Sequence, residues 1–278
     1  MSLMYGTTLG SYARWAIAGA GVLGCSGLLW GSTWVQPARP VSDAPRMPVL
    51  VELFTSEGCS SCPPADQLLM LLDAQQVVAE ALVIPLSEHV EYWNGLGWRD
   101  PFSAPTFTER QQEYADLLTA GLLYTPQMVV DGQTEFIGSQ RAVAQQAIAR
   151  AVAAPKAAIA LATTGGGGRH TVNVEVTISG VARLGAIGEA ELWLAVTEEG
   201  LATDVRRGEN ANRRLPHAAV VRRLEQIETL PMPAPDRFTA VAQVALDPDW
   251  QAGSLRLVAF LQERKSRRVL GVTQIRLK

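Results

Sequence analysis

Short apolar segments alternate with amphipathic ones along the chain from residue 49 onward. Residues 49–54 form a short apolar, β-branched run, which is typical of a strand buried on both faces of a sheet. A polar loop follows, and residues 65–78 then place leucines on one face of a predicted helix. Residues 81–86 predict a second strand. The opening pattern is therefore strand, loop, helix and strand.

The pattern that follows predicts a helix, a hairpin and a second helix. Residues 89–105 form a long excursion rich in Trp, Tyr, Gly and Pro, and a polar helix is predicted over residues 106–118. Residues 125–138 predict two strands joined at an Asp-Gly turn, the strongest short hairpin signal. A closing helix is predicted over residues 139–153. The order of these elements is the minimal thioredoxin order: strand, Cys-x-x-Cys loop, helix, strand, helix, hairpin and helix. We assign residues 48–154 to a domain of this kind.

Past residue 154 the pattern changes to alternating strands with turn-rich connections. A tetraglycine at residues 165–168 marks a flexible connection. The clearest strand candidates are residues 171–178, 191–197, 237–246, 254–262 and 268–277. Several short strands of this kind indicate a β-sandwich or barrel-like domain, here over residues 155–278. We therefore expect an α/β thioredoxin-like N-terminal domain followed by a β-sandwich-like C-terminal domain.

The N-terminal segment is apolar and precedes both predicted domains. Arg14 is followed by an almost uninterrupted apolar run over residues 15–35, a length that crosses a bilayer as a helix. Residues 16–24 fit equally the apolar centre of a cleaved secretory signal, and Cys25 follows a weak lipoprotein processing pattern. All three alternatives export the rest of the chain. We expect an extracytoplasmic protein on the periplasmic side, either tethered to the membrane or secreted.

Prolines follow the apolar run and predict an extended tether. They stand at positions 37, 40, 45 and 48, so residues 36–48 resemble a semi-rigid proline-rich linker. The signal or anchor and this tether together occupy residues 1–47 in our division of the chain.

Composition narrows the classes of function. The chain has 278 residues, of which 47% are hydrophobic and 18% are charged, as in ordinary globular proteins. Its formal net charge of −3 lacks the positive excess of nucleic-acid-binding proteins, so nucleic acid is not an expected partner. The tetraglycine lacks the flanking strand and helix of a phosphate-binding loop, and no serine-hydrolase elbow is present. No cofactor is predicted.

Cys59 and Cys62 are the strongest candidates for chemistry. They form a Cys-x-x-Cys pair at a predicted strand-to-helix turn, where the positive end of a helix favours a thiolate. We expect Cys59, the outer residue, to attack and Cys62 to resolve the mixed disulfide. Because Cys62 precedes Pro63, it is also expected to be biased away from helical geometry. The alternatives are a static disulfide and a metal site.

Thr125 and Pro126 form the second part of the predicted site. They open a strand some 60 residues after the cysteines. In thioredoxin-like folds a cis proline at this place faces the dithiol, and the preceding backbone pairs with an extended substrate. We expect the Thr125-Pro126 bond to be cis, with Pro126 as a platform for the substrate strand and Thr125 as a binding residue. An ordinary trans turn proline is the alternative.

His89 and Trp93 are further candidate binding residues. His89 follows the second predicted strand, where it could supply a proton or join Cys59 and Cys62 on Cu(I). The alternative is a hydrogen-bonded structural histidine. Trp93 belongs to an aromatic set that would either wall a groove near the dithiol or pack within its own loop. That set also contains Tyr92, Trp98 and Phe102.

Several charged residues are expected at the surface. Glu57 and Asp66 could modulate the thiolate, but solvation at the surface is the expected role. A cluster of arginines in the C-terminal half is expected to be solvated, with partner docking as the alternative. Its members are Arg206, Arg207, Arg213, Arg214, Arg222 and Arg223.

Six short motifs resemble those of a bacterial exported family catalogued as domain of unknown function 1223. They are ELFTSEGCSSCPPAD at residues 52–66, HVEYWN at 89–94, LGW at 96–98, DPF at 100–102, YTPQ at 124–127 and GEN at 208–210. The resemblance covers nearly everything after the tether and implies a thioredoxin-like domain followed by a β-rich domain. Unlike true thioredoxins, the chain has no proline between the two cysteines and no tryptophan before them, so the resemblance leaves the redox poise open.

Taken together, these patterns favour an exported thiol-disulfide oxidoreductase or redox-responsive protein. Its partners would be protein thiols or disulfides, with the membrane bound through the N-terminal segment. One alternative is a copper metallochaperone that binds Cu(I) through Cys59, Cys62 and His89. Another is a non-catalytic interaction module with a static disulfide.

Overall fold

Apolar residues on both faces of the first strand place it at the centre of a mixed α/β fold. The computed structural model describes residues 45–164, 168, 170–185, 188–230 and 233–277. The expected anchor or signal, the lipidation site at Cys25 and the tether up to residue 44 lie outside the described residues, as does most of the tetraglycine. Among the helices described, none has the length and apolar character needed to cross a membrane.

The described residues form three α-helices and thirteen strands. The helices are α1 (Pro63–Gln75), α2 (Pro105–Leu118) and α3 (Arg141–Val152). The strands of the first half are β1 (Met47–Thr55), β2 (Ala81–His89), β3 (Gln127–Val130) and β4 (Thr134–Ile137). The strands of the second half are β5 (Ala158–Thr164), β6 (Thr171–Ser179), β7 (Ala190–Glu198), β8 (Ala202–Val205), β9 (Arg213–Pro216), β10 (Val220–Leu230), β11 (Arg237–Ala245), β12 (Leu255–Glu263) and β13 (Val269–Arg276).

Eight of these strands form one sheet in the order β13-β12-β7-β10-β2-β1-β3-β4. β1 pairs with β2 in parallel and with β3 antiparallel, as a strand–helix–strand unit followed by a hairpin requires. β10 joins β2 in parallel through Val220 and Ser87. Strands from both halves of the chain therefore share one sheet, and the proposed division at residue 154 falls between α3 and β5 rather than between separate sheets.

A second sheet, in the order β11-β6-β5, covers part of the first one. Its inward residues, among them Val174, Val176 and Ile178, pack against Leu192 of β7 and Leu257 of β12 in one apolar core. Two packed sheets with apolar residues between them form the layer of a sandwich. β8 and β9 form a separate two-stranded hairpin, which covers the start of α1.

The two faces of the shared sheet bury different cores. Val51 and Leu53 point toward α1 and α3, whereas Leu50 and Phe54 point toward α2 and strands of the second half. Because side chains alternate along a strand, His89 at the end of β2 lies on the α1 face and Glu88 on the α2 face.

A buried polar network lies within the α2-side core. The Arg110 guanidinium bonds to Glu52 of β1 at 2.5 Å and to the Tyr114 hydroxyl at 3.0 Å. It also donates to Gln262 of β12 at 3.2 Å, which links the two halves of the chain. Glu88 lies 3.7 Å from Arg110, and neither of its carboxyl oxygens has a hydrogen-bond partner among the described residues.

Four strands were missed by the sequence pattern, and one local prediction was wrong. β10 carries four charged side chains and β5 is rich in alanine, so neither gave a strong apolar signal. β8 and β9 are only four residues long. Cys62 is helical, with φ −77° and ψ −38°, although it precedes Pro63. The predicted bias away from helical geometry does not hold, because the amides of Ala65 and Asp66 bond to the Cys62 carbonyl and fix the first turn.

Candidate functional site

Cys59 and Cys62 form a disulfide at the start of α1. The loop that carries them is tight: the Cys59 amide donates to the Ser56 carbonyl, and the Cys62 amide donates to the Cys59 carbonyl, both at 3.2 Å. The Ser61 hydroxyl lies 3.3 Å from the Cys59 sulfur. Both cysteines have a relative exposure of 0%. The outer position expected for Cys59 does not leave it exposed, although Ser60 and Ser61 between the two cysteines are exposed.

The turn between β8 and β9 supplies much of that cover. The Asn210 side-chain amide donates to the backbone carbonyls of Glu57 and Cys59, both at 2.9 Å. The Glu209 carboxylate accepts from the Ser60 amide at 3.0 Å. These three contacts bridge about 150 positions of sequence. Asn210 is fully buried, so it is an integral part of the site.

The aromatic excursion of residues 89–105 closes the other side of the loop. The Trp98 indole donates to the Glu57 carboxylate at 2.8 Å, and the Trp93 indole donates to the Thr125 hydroxyl at 2.9 Å. A Cβ on Gly58 would lie 3.2 Å from the Cβ of Trp93, so this tryptophan packs directly against the residue before Cys59. Trp93 therefore connects the dithiol loop with the loop of Thr125.

Two glycines let the aromatic excursion meet the β8–β9 turn. Gly97 and Gly208 both have positive φ, at 105° and 76°, and a Cβ on Gly97 would lie 3.4 Å from the Gly208 Cα. A side chain at either position would be strained and would separate the two segments. The two covers of the dithiol loop are thus in contact with each other.

The Thr125-Pro126 peptide bond is cis, as predicted. Pro126 is buried, and the Gly138 amide donates to its carbonyl at 2.8 Å. Gly138 separates Pro126 from α1: a Cβ at residue 138 would lie 3.3 Å from the Pro126 Cβ and 3.1 Å from the Ala65 Cβ. The proline loop therefore lies beside the first turn of the helix that begins at Cys62. Gln111 holds this loop from α2 by donating to the Tyr124 carbonyl at 2.7 Å.

Asp100 organises a buried network beneath the dithiol loop. Its Oδ2 atom accepts from the Glu57 amide at 2.8 Å and lies 2.7 Å from His89 Nδ1, and its Oδ1 accepts from the Phe102 amide at 2.9 Å. Burial alone would raise the pKa of Asp100, but His89 and these amide hydrogens hold it below the ordinary aspartate value. Burial alone would likewise lower the pKa of His89, yet the Asp100 carboxylate raises it.

His217 joins the network from the second half of the chain. Its Nε2 atom lies 3.1 Å from the Glu57 carboxylate, and its ring centroid lies 4.9 Å from that of His89. Phe102 packs edge-on against both imidazoles. The remaining ring nitrogens, Nε2 of His89 and Nδ1 of His217, are buried and have no hydrogen-bond partner among the described residues.

Asp66 is the carboxyl group on α1 that lies one turn after Cys62. Residues four apart on a helix share a face, so the Asp66 side chain lies on the same side of α1 as the Cys62 side chain. The Thr55 hydroxyl donates to Asp66 at 2.9 Å. Burial raises the pKa of Asp66 against the opposing effects of His217 and His89. This carboxyl group therefore holds its proton at higher pH than an ordinary aspartate.

The prediction that Glu57 and Asp66 are solvated was wrong, because both are buried in this network. The arginines Arg206, Arg207, Arg213 and Arg214 are exposed, as expected, on the β8–β9 hairpin. The expectation was wrong for Arg222 and Arg223 of β10, which are half-buried; Arg222 pairs with Glu198 and packs on Phe102 and Trp250. His89 bonds to Asp100 rather than standing free. Within the described ranges, no group of three or more His, Cys, Asp or Glu side chains is arranged to hold a metal ion.

Three contributors to the site were not singled out as candidates from the sequence. Asp100 and Asn210 stand within the DPF and GEN motifs, which were the available signals for them. His217 gave no signal, because its partner Glu57 lies 160 positions away and no motif marks it.

Solved structures that share the fold include one from Agrobacterium tumefaciens and one from Porphyromonas gingivalis. A protein from Agrobacterium tumefaciens, solved by a structural genomics consortium, aligns with a TM-score of 0.63 at 22% identity, over 84% of this chain and 95% of that one. HBP35 of Porphyromonas gingivalis aligns with a TM-score of 0.62 at 17% identity, over 84% of this chain and 76% of that one. Likeness at these identities concerns the fold alone. No curated protein sequence matches the chain.

The sequence comparison is more specific than the structural one. A family model described as "Protein of unknown function (DUF1223)" matches residues 50–262. The match runs from β1 to β12, so it contains the dithiol loop, the aromatic excursion, the proline loop and the β8–β9 cover. Because it spans well over half of the 278 residues, the chain belongs to the DUF1223 family.

Proposed function

We propose that this chain is an exported thiol-disulfide oxidoreductase that uses Cys59 and Cys62. The observation that carries the proposal is the Cys59–Cys62 disulfide at the start of α1, whose loop is bonded through Glu57 to a buried set of carboxyl and imidazole groups. A purely structural bridge of so short a loop stabilises a fold by only about 2 kcal/mol on the loop-entropy estimate. Titratable groups with shifted pKa values around a sulfur pair favour a chemical role over a structural one.

The order of elements around the cysteines also supports a thioredoxin-like unit. β1, α1, β2, α2, β3, β4 and α3 follow one another, with the strands arranged as β2-β1-β3-β4. The loop of Thr125 and Pro126 lies beside the first turn of α1 and is tied to the dithiol loop through Trp93. In the proposed mechanism this loop receives the extended substrate, with Thr125, His89 and Trp93 as its surroundings.

The reaction is a balanced exchange of two electrons. In the oxidising direction, a substrate thiolate attacks the Cys59 sulfur, the Cys59–Cys62 bond breaks, and Cys62 leaves as a thiolate. A second substrate thiolate then attacks the substrate sulfur of the mixed disulfide and releases Cys59. The substrate gains a disulfide, and this chain gains two electrons and two protons. In the reverse direction Cys59 attacks a substrate disulfide and Cys62 resolves it.

Asp66 is the proposed proton carrier for Cys62. When the disulfide opens, the Cys62 thiolate needs a proton, and a carboxyl group with a raised pKa on the same helix face is able to supply it. When Cys62 acts as the resolving thiol, the same carboxylate takes the proton back. His89, whose pKa the Asp100 carboxylate raises, is a second proton carrier in the same buried region.

A trapping experiment tests the proposal. Cys62→Ser should accumulate mixed disulfides with substrate proteins, because Cys59 still attacks but nothing resolves the product; Cys59→Ser should not. The reduction potential of the pair should be near or above about −270 mV for an exchange enzyme. A value below about −300 mV, or equal trapping by both variants, would point to a structural bridge. Tight stoichiometric Cu(I) binding by the reduced chain would favour the metallochaperone instead.

A further inference from the structure

The β8–β9 hairpin is both the cover of the disulfide and the most basic exposed segment near it. Residues 202–216 contain four arginines and two carboxylates, a net charge of +2 within a chain whose net charge is −3. Arg206 and Arg207 are exposed at the turn and have no hydrogen bond or ion pair with any described residue. The guanidinium groups of these two arginines are therefore available to bind another molecule.

The other two arginines make only local contacts. Arg214 pairs with Asp204 at 2.9 Å on the open surface, where such a pair contributes little. Arg213 donates to the Asn210 side-chain oxygen at 2.7 Å, and Asn210 in turn bonds to the Cys59 carbonyl. Any molecule bound to these arginines is therefore one hydrogen bond away from the residue that holds the cover in place.

Part of the cover must move before the disulfide reacts, and the hairpin is one of its two parts. Cys59 and Cys62 have 0% exposure, and a sulfur that is attacked by a thiolate needs open space along the line of the disulfide bond. The gap between the hairpin and α1, lined by Pro63, Asp66 and residues of β9, is only about 40 Å³. That volume holds only a few water molecules, and neither cysteine lines it.

We propose that an acidic segment of the partner polypeptide binds the arginines of this hairpin and displaces residues 208–210 from the dithiol loop. The inference rests on the proposed function and names the surface by which its substrates dock. Carboxylates held on Arg206 and Arg207 lie beside Glu209, and repulsion between like charges weakens the bond of Glu209 to the Ser60 amide. A polypeptide is favoured over a lipid surface because the covered groups exchange disulfides with protein thiols.

The rate at which dithiothreitol reduces the disulfide measures how far the hairpin limits access to the sulfurs. This measurement does not require the proposed enzymatic exchange. The full chain is reduced, quenched and alkylated, and the peptide containing both cysteines is quantified by mass spectrometry. Asn210→Ala should accelerate reduction about tenfold or more, because it removes two buried hydrogen bonds to the loop. Glu209→Ala, a surface change that leaves folding intact, should accelerate it about threefold. Unchanged rates in both variants would show that the hairpin does not limit access.

A polyglutamate peptide then serves as the acidic probe. At low salt it should accelerate reduction of the wild-type chain. Salt at about 0.5 M should abolish the effect, because it screens the attraction between carboxylates and arginines beyond a few ångströms. Arg206→Glu combined with Arg207→Glu should remove the response. The matched control, Arg141→Glu combined with Arg183→Glu, changes two exposed arginines elsewhere and should keep it.

Two results would overturn the docking surface while leaving the proposed function intact. The first is an unchanged rate of reduction of the wild-type chain when polyglutamate is added. The other is acceleration by vesicles of phosphatidylglycerol in place of the peptide, which would make the arginines a membrane contact. Mixed-disulfide trapping by Cys62→Ser is independent of either result, so failure of the docking surface and failure of the oxidoreductase are distinguishable.

Discussion

Asp66 shows what a single buried carboxyl group contributes at this site. It lies one helical turn after Cys62, accepts a hydrogen bond from Thr55, and has a raised pKa because it is buried. Ionisation of Asp66 therefore destabilises the folded state, whereas in the unfolded chain it carries no such cost. The same property makes it a proton donor at pH values where an exposed aspartate has already ionised.

Asp66→Asn should separate these two effects. The folded-state pKa lies above the unfolded value near 3.9, so the free energy of unfolding of the wild type should fall relative to the variant as the pH rises above about 4, by at most about 1.4 kcal/mol per pH unit. The difference should become constant above the raised pKa. Urea unfolding at a series of pH values measures it, and Asp249→Asn, at an exposed position, should show no such trend.

The same variant should resolve mixed disulfides about a hundredfold more slowly, since an amide cannot accept the proton that the Cys62 thiol must lose before it attacks. Stopped-flow measurement of the second step of exchange checks this rate. Stability that is unchanged with pH, together with an unchanged resolving rate, would contradict the assignment of Asp66 as the proton carrier.

At the scale of elements, glycines decide how closely the proline loop approaches α1. Residue 138 must lack a side chain because Leu53, Ala65 and Pro126 surround the place where a Cβ would stand, the nearest atom at 2.8 Å. Gly95, in the aromatic excursion, has no heavy atom within 4 Å of its would-be Cβ. The two positions are a matched pair for the same substitution.

Gly138→Ala should destabilise the protein by about 1–3 kcal/mol, because the added methyl group overpacks the contact between the proline loop and α1. Gly95→Ala should change the free energy of unfolding by no more than about 0.5 kcal/mol. Guanidinium unfolding of both variants gives the comparison. Equal effects at the two positions would mean that the close packing at Gly138 relaxes freely.

At the scale of the whole molecule, the two halves of the chain share one of three apolar cores. Leu50, Phe54 and Leu86 from the first half pack with Val258 and Phe260 of β12 in a single buried cluster. The Arg110 network crosses the same boundary to reach Gln262. Each of the other two cores lies within one half, so dividing the chain at residue 154 would expose the shared cluster on both sides.

The fragment of residues 45–154 should therefore fail to fold cooperatively by itself. Removing β10, β12 and β13 exposes several side chains whose burial stabilises by roughly 1.5–3 kcal/mol each, which together exceed the usual margin of about 5–15 kcal/mol. Thermal melting followed by near-UV circular dichroism should be broad for the fragment and sharp for the full chain. A sharp transition in the fragment would instead support the division at residue 154.

Glu88 tests the buried network that joins the halves. Burial raises its pKa well above the ordinary glutamate value, and the neighbouring Glu52 carboxylate adds to the effect. As the pH rises from about 5 to 8, the wild type should lose stability relative to Glu88→Gln by at most about 1.4 kcal/mol per pH unit. Glu80→Gln, an exposed change, should follow the wild type. Parallel pH profiles for Glu88→Gln and the wild type would contradict the raised pKa.

The sequence by itself determined the parts of this protein that depend on neighbouring residues. Short continuous apolar runs placed β1 and β2, the helical spacing of leucines placed α1, and the Asp-Gly turn placed the hairpin, all within a few residues of their bounds. The spacing of Cys59 and Cys62 predicted a bond that needs only four consecutive residues, and the disulfide is present. The motifs around them identified the family, because they lie in continuous stretches of chain.

Only the tertiary structure decided which distant residues share the site and how exposed its sulfurs are. Asn210 and His217 reach the dithiol loop from β8, β9 and their connections, at separations of about 150 positions that no local pattern encodes. The charges of Glu57 and Asp66 suggested solvent, yet their burial follows from elements that fold over them later in the chain. Local periodicity reports which face of an element is apolar, whereas strand pairing across the sheet determines what covers that face.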